Sequence, residues 1–121
     1  TFCKVNLKYD IESELPANIR YTFLSIVKEA LTNTAKHSNA TRIDISLREH
    51  PAFYQLITQN NGSSENVQKW SDHTSGIGMI NIQERVQNAN GMIQITARNG
   101  FRIFISIPKK EEKNDTDRDR R

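Results

Sequence analysis

At helical steps along the stretch EALTNTAKHSNA, residues 29 to 40, stand an acid, an amide, a lysine and a histidine: Glu29, Asn33, Lys36 and His37. A carboxylate and an amide one turn apart offer oxygen atoms to a hard cation such as Mg2+. That ion keeps several waters and needs only one or two protein ligands beside substrate phosphates. Lys36 would add a point charge for phosphate. With Glu29 at zero on a helical wheel, Ile19, Phe23, Ile26, Val27, Ala30 and Leu31 fall between about 60° and about 200°. Asn33 falls at about 40°, Lys36 at about −20° and His37 at about 80°. The row Glu29, Asn33, Lys36 thus borders an apolar face, and His37 points inward. Two accounts fit the pattern: side chains whose stems cover the edge of a core, or a cation and phosphate site.

A second stretch bears on the choice. In SGIGMINIQERV, Gly76 and Gly78 precede a helical pattern. Such a helix start presents unpaired N–H groups and a positive dipole end to an anion, although glycine before a helix is also ordinary turn chemistry. Between Asn60 and Ser75 no period is sustained, and the segment reads as a loop long enough to be functional. A loop, a glycine-rich helix start and an acid/amide row in one small domain describe a nucleotide pocket with a lid.

The elements that must position these residues follow from periodicity. Residues 2 to 9, FCKVNLKY, alternate as a half-buried strand. Pro16 suits the first position of a helix, and an amphipathic helix is expected from about residue 17 to 37. TRIDISLR (41 to 48) and FYQLITQN (53 to 60) alternate as strands joined by a hairpin turn at EHPA. Residues 77 to 89 return to helical spacing, with Gly91 as the expected C-terminal cap. MIQITAR and FRIFISI flank Asn99-Gly100, a two-residue hairpin signal. The pattern predicts a two-layer α/β sandwich: a mixed sheet of about five strands, mostly in antiparallel pairs, covered on one face by helices.

At 121 residues, with 36% hydrophobic and 26% charged residues, the chain fits one soluble domain over residues 1 to 108. The formal charge of +3 includes the mixed tail KKEEKNDTDRDRR, residues 109 to 121, which is expected to be disordered and leaves +2 on the body. Neither value supports a nucleic-acid groove, which wants clustered bases with interleaved aromatics. A single cysteine, Cys3, excludes an internal disulfide framework and suits a reducing compartment. No apolar run approaches a membrane span and no signal pattern opens the chain. A start on Thr1 without Met is expected of a piece of something longer.

IVKEALTNTAKHSNAT resembles the N box of sensor histidine kinases, in the subgroup found with LuxR-type response regulators, and SGIGMINIQERVQNANGMIQI is similar to the G box and following helix of that subgroup. The resemblance runs from about Phe2 to Pro108 and implies the Bergerat-type α/β sandwich shared with gyrase, Hsp90 and MutL. It implies that Asn33 ligates Mg2+ with ATP phosphates, that Glu29 holds the metal's water shell, and that Lys36 and His37 approach the phosphate chain. Gly76, Ile77, Gly78 and Met79 would contact phosphates, with residues 63 to 75 as the ATP lid. That lid has only Val67 and Trp70 as apolar anchors and is expected to be poorly ordered without nucleotide, Trp70 packing it on the body. The implied partners are a histidine-bearing dimerisation domain of the same full-length protein and a response regulator. The isolated domain would be a monomer, and the full-length protein a homodimeric, membrane-anchored sensor with this domain in the cytoplasm.

Two positions depart from the family pattern. Where the family has Asp-x-Gly-x-Gly, its acid accepting from the adenine 6-amino group, this chain has Asn60, Gly62 and Ser64. Where the last hairpin usually shows Gly-Thr, this chain has Gly100-Phe101. An amide at residue 60 can still accept from the 6-amino group and donate to N1, but without charge assistance, a loss of roughly 1 kcal/mol or about five- to tenfold in affinity. Phe101 either stacks on the base or fills its place. Three functions follow: an active histidine kinase catalytic domain, a pseudokinase or interaction module of the same fold, or an anti-sigma-factor-type serine kinase. His50 and His73, in a turn and a loop, are ordinary surface residues in each of them.

Overall fold

The computed structural model describes residues 3–37, 39–62, 78–96 and 100–109, with backbone alone for residues 36, 37 and 78–81. In chain order the elements are β1 (Lys4–Asp10), α1 (Ala17–His37), β2 (Arg42–Glu49), β3 (Phe53–Asn60), α2 (Gly78–Asn88), β4 (Met92–Thr96) and β5 (Arg102–Pro108). The strands form one sheet in the order β1-β2-β3-β5-β4. β1 runs parallel to β2, and the other neighbours are antiparallel. This is the expected two-layer α/β sandwich with a mixed five-stranded sheet.

Period-two alternation sets the layers. Ile43, Ile45 and Leu47 of β2, Tyr54, Leu56 and Thr58 of β3, and Ile103, Ile105 and Ile107 of β5 all point to the helical side and are buried. Ile19, Phe23, Ile26 and Ala30 of α1 and Ile82 and Val86 of α2 close the same cluster. α1 lies over β2 and β3, while α2 packs against α1 and β4. The partial burial of β2 and β3 residues on the opposite face matches a sheet covered on one side.

β1 differs from the half-buried strand its alternation suggests. Its Val5 and Leu7 pair in register with Ile43 and Ile45, yet they are 50% and 62% exposed against 1% and 3% for their partners. The reason is coverage. Among the described residues no helix lies over β1, so the same face is core at β2 and surface one strand further out.

Both helix ends sit one residue from their expected signals. Pro16 is a cap rather than a first-turn residue: its carbonyl accepts from the backbone N–H of Ile19 at 3.1 Å and Arg20 at 2.9 Å. At the other end of α2 the left-handed residue is Asn90, at φ 63°, and not Gly91. Gly91 N donates to Val86 O at 2.8 Å and Asn90 N to Gln87 O at 2.9 Å, the paired bonds of a Schellman ending. Gly91 is needed for closeness instead, since a Cβ there would stand 2.7 Å from Ser106 O and 2.9 Å from Ile107 Cγ1.

Candidate functional site

The C-terminal turns of α1, the end of β3 and the start of β5 meet at one pole of the sandwich. Asn33, in α1, is 4% exposed. It lies deeper than an edge position. Nearer the start of α1, α2 packs on the helix through Arg85, which donates to Ser25 Oγ at 3.1 Å and stacks on Tyr21 with 4.5 Å to the ring centre. The Asn33 amide nitrogen donates twice to one residue, to Glu29 O at 2.9 Å and to Glu29 Oε2 at 2.8 Å. Both bonds need a donor, so they fix which end of the amide is nitrogen and turn Oδ1 away from Glu29.

This donor set suits a hard cation. The amide oxygen of Asn33 is a neutral oxygen ligand, and the neighbouring carboxylate of Glu29 can hold a water shell while orienting the amide. No group of three or more His, Cys, Asp or Glu side chains placed to hold a metal occurs among the described residues. An amide oxygen beside one carboxylate fits an ion that takes most of its ligands from water and phosphate.

Asn60 closes β3 and is 7% exposed. Its Oδ1 accepts from the backbone N–H of Gly62 at 2.9 Å and of Phe101 at 3.3 Å, and its Nδ2 donates to Thr34 Oγ1 at 3.2 Å. Its own backbone N–H donates to Phe101 O at 3.0 Å. One side chain thus ties the β3 end, the start of β5 and α1 together. Gly100, at φ +110°, lets β5 approach this closely, because a Cβ there would fall on the carbonyl oxygen of Asn60. Asn61 continues the pole: its Oδ1 accepts from the N–H groups of Thr41 and Arg42 at 2.9 and 3.0 Å, holding the start of β2.

The expected site residues therefore fall into four groups. Glu29 and Asn33 are bonded to one another, and Gly62 and Phe101 are both bonded to Asn60. Thr34, next to Asn33 in α1, joins Asn60 to the helix. Lys36 and His37 are in the last turn of α1, and Gly78 and Met79 open α2, all by backbone placement. Gly76, Ile77, Ser64 and the expected lid, residues 63 to 75, lie outside the described residues, as do residues 97–99 with the Asn99 half of the hairpin turn. Thr34 is the site residue that periodicity passed over. It falls at about 140° on the α1 wheel, the middle of the apolar arc, and a hydroxyl there has to be answered by a buried polar partner.

No family model matches the chain. In sequence it is 31% identical over 112 residues to the sensor histidine kinase YdfH of Bacillus subtilis, covering 90% of this chain and 28% of that protein. It is 26% identical over 99 residues to the signal transduction histidine-protein kinase/phosphatase UhpB of Salmonella typhimurium, covering 82% of this chain and 19% of that protein. The chain thus spans about a fifth to under a third of these relatives. Among solved structures it superposes on the ATP-binding domain of PrrB from Mycobacterium tuberculosis with a TM-score of 0.61 at 21% identity, covering 90% of this chain and 82% of that one. It also superposes on the histidine kinase domain of the blue-light activated kinase of Erythrobacter litoralis, with a TM-score of 0.64 at 19% identity over 88% of this chain and 51% of that one. The chain is related in sequence to sensor histidine kinases, and its fold is that of histidine kinase ATP-binding domains.

Proposed function

We propose that the chain is the nucleotide-binding catalytic domain of a two-component sensor histidine kinase. In this function Asn33 holds Mg2+ through its amide oxygen and Glu29 holds the metal's water shell. Lys36 and His37 face the phosphate chain, and the backbone of Gly76, Ile77, Gly78 and Met79 binds it at the start of α2. Asn60, Gly62 and Phe101 form the base end, and residues 63 to 75 fold over the nucleotide. Bound Mg2+ would neutralise phosphate charge. The reaction forms an N–P bond to a histidine of a separate dimerisation domain, breaks the bond between the γ-phosphorus and its bridging oxygen, and releases the nucleoside diphosphate. The protein's share is positioning and charge stabilisation. A response regulator then takes the phosphoryl group, and the full-length protein is a membrane-anchored dimer with this domain in the cytoplasm.

The observation that carries this proposal is the pair of hydrogen bonds that Asn33 Nδ2 donates to Glu29. It orients the amide for a cation where a core-edge residue would need no fixed orientation. The pseudokinase account draws on Asn60, whose oxygen already serves two backbone donors. Titration of a fluorescent ATP analogue with and without Mg2+ separates the two. Saturable, Mg2+-dependent binding is expected, weakened at least about tenfold in Asn33→Ala with the circular dichroism spectrum unchanged. Absence of binding up to millimolar nucleotide, in the native chain and in Asn60→Asp, would rule out the catalytic account.

A further inference from the structure

Asn60 has a hydrogen-bonding remainder that can be counted. An amide oxygen offers two lone pairs and an amide nitrogen two hydrogens. The two backbone donors, Gly62 N at 2.9 Å and Phe101 N at 3.3 Å, take both lone pairs of Oδ1. Neither can be served by an NH2 group, so the amide cannot be turned round. Thr34 Oγ1 takes one hydrogen of Nδ2 at 3.2 Å. Among the described residues nothing takes the second. What Asn60 has left to offer a ligand is one N–H and no acceptor.

We infer that Asn60 sets the base preference of this site, favouring 6-oxopurine nucleotides, those of hypoxanthine or guanine, over adenine nucleotides. This rests on the proposal above that a purine triphosphate lies with its base edge against residue 60. In that pose the group on purine C6 meets the spare N–H. Adenine presents an amino group there, a donor, and guanine and hypoxanthine present O6, an acceptor. A donor facing a donor leaves both unsatisfied and shielded from water, whereas a donor facing O6 makes a hydrogen bond. Adenine can use the same N–H only through N1, which shifts the base sideways from that pose.

Thr34 makes the assignment reversible. Its hydroxyl accepts from Asn60 now, but a hydroxyl also donates. In Asn60→Asp it can rotate to donate to the new carboxylate oxygen. That oxygen keeps a lone pair for a 6-amino group, while the other still serves Gly62 and Phe101. A single buried atom changed from nitrogen to oxygen therefore exchanges one base preference for the other.

The test is calorimetric titration of the 121-residue chain with ATP, ITP and inorganic triphosphate in Mg2+. Hypoxanthine lacks the 2-amino group of guanine, so ITP and ATP differ only along the C6–N1 edge, O6 and N1–H against the 6-amino group and a bare N1. ITP is expected to bind the native chain about five- to tenfold more tightly than ATP, the worth of one neutral hydrogen bond gained in place of a mismatch. The order is expected to reverse in Asn60→Asp. Equal or tighter binding of ATP by the native chain overturns the inference, and so does a ratio that Asn60→Asp leaves unchanged. If Asn60→Asp does not fold, the native ratio decides alone. Triphosphate binding without discrimination between bases removes the inference and leaves the nucleotide site standing. Failure of every ligand, triphosphate included, removes both.

Discussion

At the scale of single residues, the pole that holds Asn60 depends on a glycine for two independent reasons. Gly100 has φ +110°, and its α-hydrogen faces the Asn60 carbonyl where no methyl group fits. Gly100→Ala is therefore expected to cost about 2–4 kcal/mol from backbone strain and overpacking together, read as a lowered urea midpoint. A loss under about 1 kcal/mol would mean that the β4–β5 connection reaches Asn60 differently in solution. Asn99-Gly100 marked a turn but not its length: Thr96 pairs with Arg102, which leaves five residues between the strands, whereas the expected two-residue hairpin would set Arg98 opposite Phe101. Nor was the close approach of Gly100 to Asn60 legible. It depends on β5 pairing with β3 so that Gln59 faces Arg102, a register between segments more than forty residues apart. The same limit hid the spent oxygen of Asn60, since one of its donors, Phe101 N, arrives through that register. Glu29 and Asn33, four apart on one helix, needed only the helical period to be brought together.

At the scale of elements, one carboxylate fastens three segments at the opposite pole. Glu49, ending β2, accepts from Glu12 N at 2.9 Å, Ser13 N at 3.0 Å, Ser13 Oγ at 2.8 Å and Lys109 Nζ at 2.7 Å. The Lys109 ammonium, followed by the Ser13 donors, holds its carboxyl far below the ordinary value of 4.5, at about 2. The folded state thus favours the unprotonated form. The stability this adds is fully present above pH 4.5 and is lost as pH falls through about 2. Glu49→Gln is expected to lower the urea midpoint by a constant amount near neutral pH, with the gap closing between about pH 4.5 and about pH 2. A gap that persists at pH 2 would show that Glu49 does not titrate with the fold. Lys109 belongs by composition to the charged tail, and nothing in the one-dimensional pattern separates it from Lys110. Its anchoring comes from Glu49 and from its own N–H, which donates to Ala52 O at 2.9 Å.

At the scale of the whole molecule, the alternation of β1 gave its orientation correctly and its burial wrongly, because burial depends on what lies above a strand. Leu7 and Ile45 are register partners on one face, 62% and 3% exposed. Ile45→Ala should cost about 2–4 kcal/mol through a core cavity, and Leu7→Ala under about 1 kcal/mol. Chemical denaturation of the two variants side by side checks the pair. Equal losses would mean that the β1 face is covered in solution.

The sandwich thus has two unlike ends. Cys3, the one cysteine of the sequence, precedes Lys4, whose N–H bonds to Thr41 O at 2.9 Å, and Asn61 bonds to Thr41 in turn. The thiol therefore stands at the Asn60 end, while Lys109 stands at the Glu49 end. The eight residues of β3 between the two ends span about 25 Å. A dye on Cys3 would watch the Asn60 end without a new cysteine having to be introduced. An acceptor dye after Lys109 would turn the length of β3 into a ruler for motion of one end against the other.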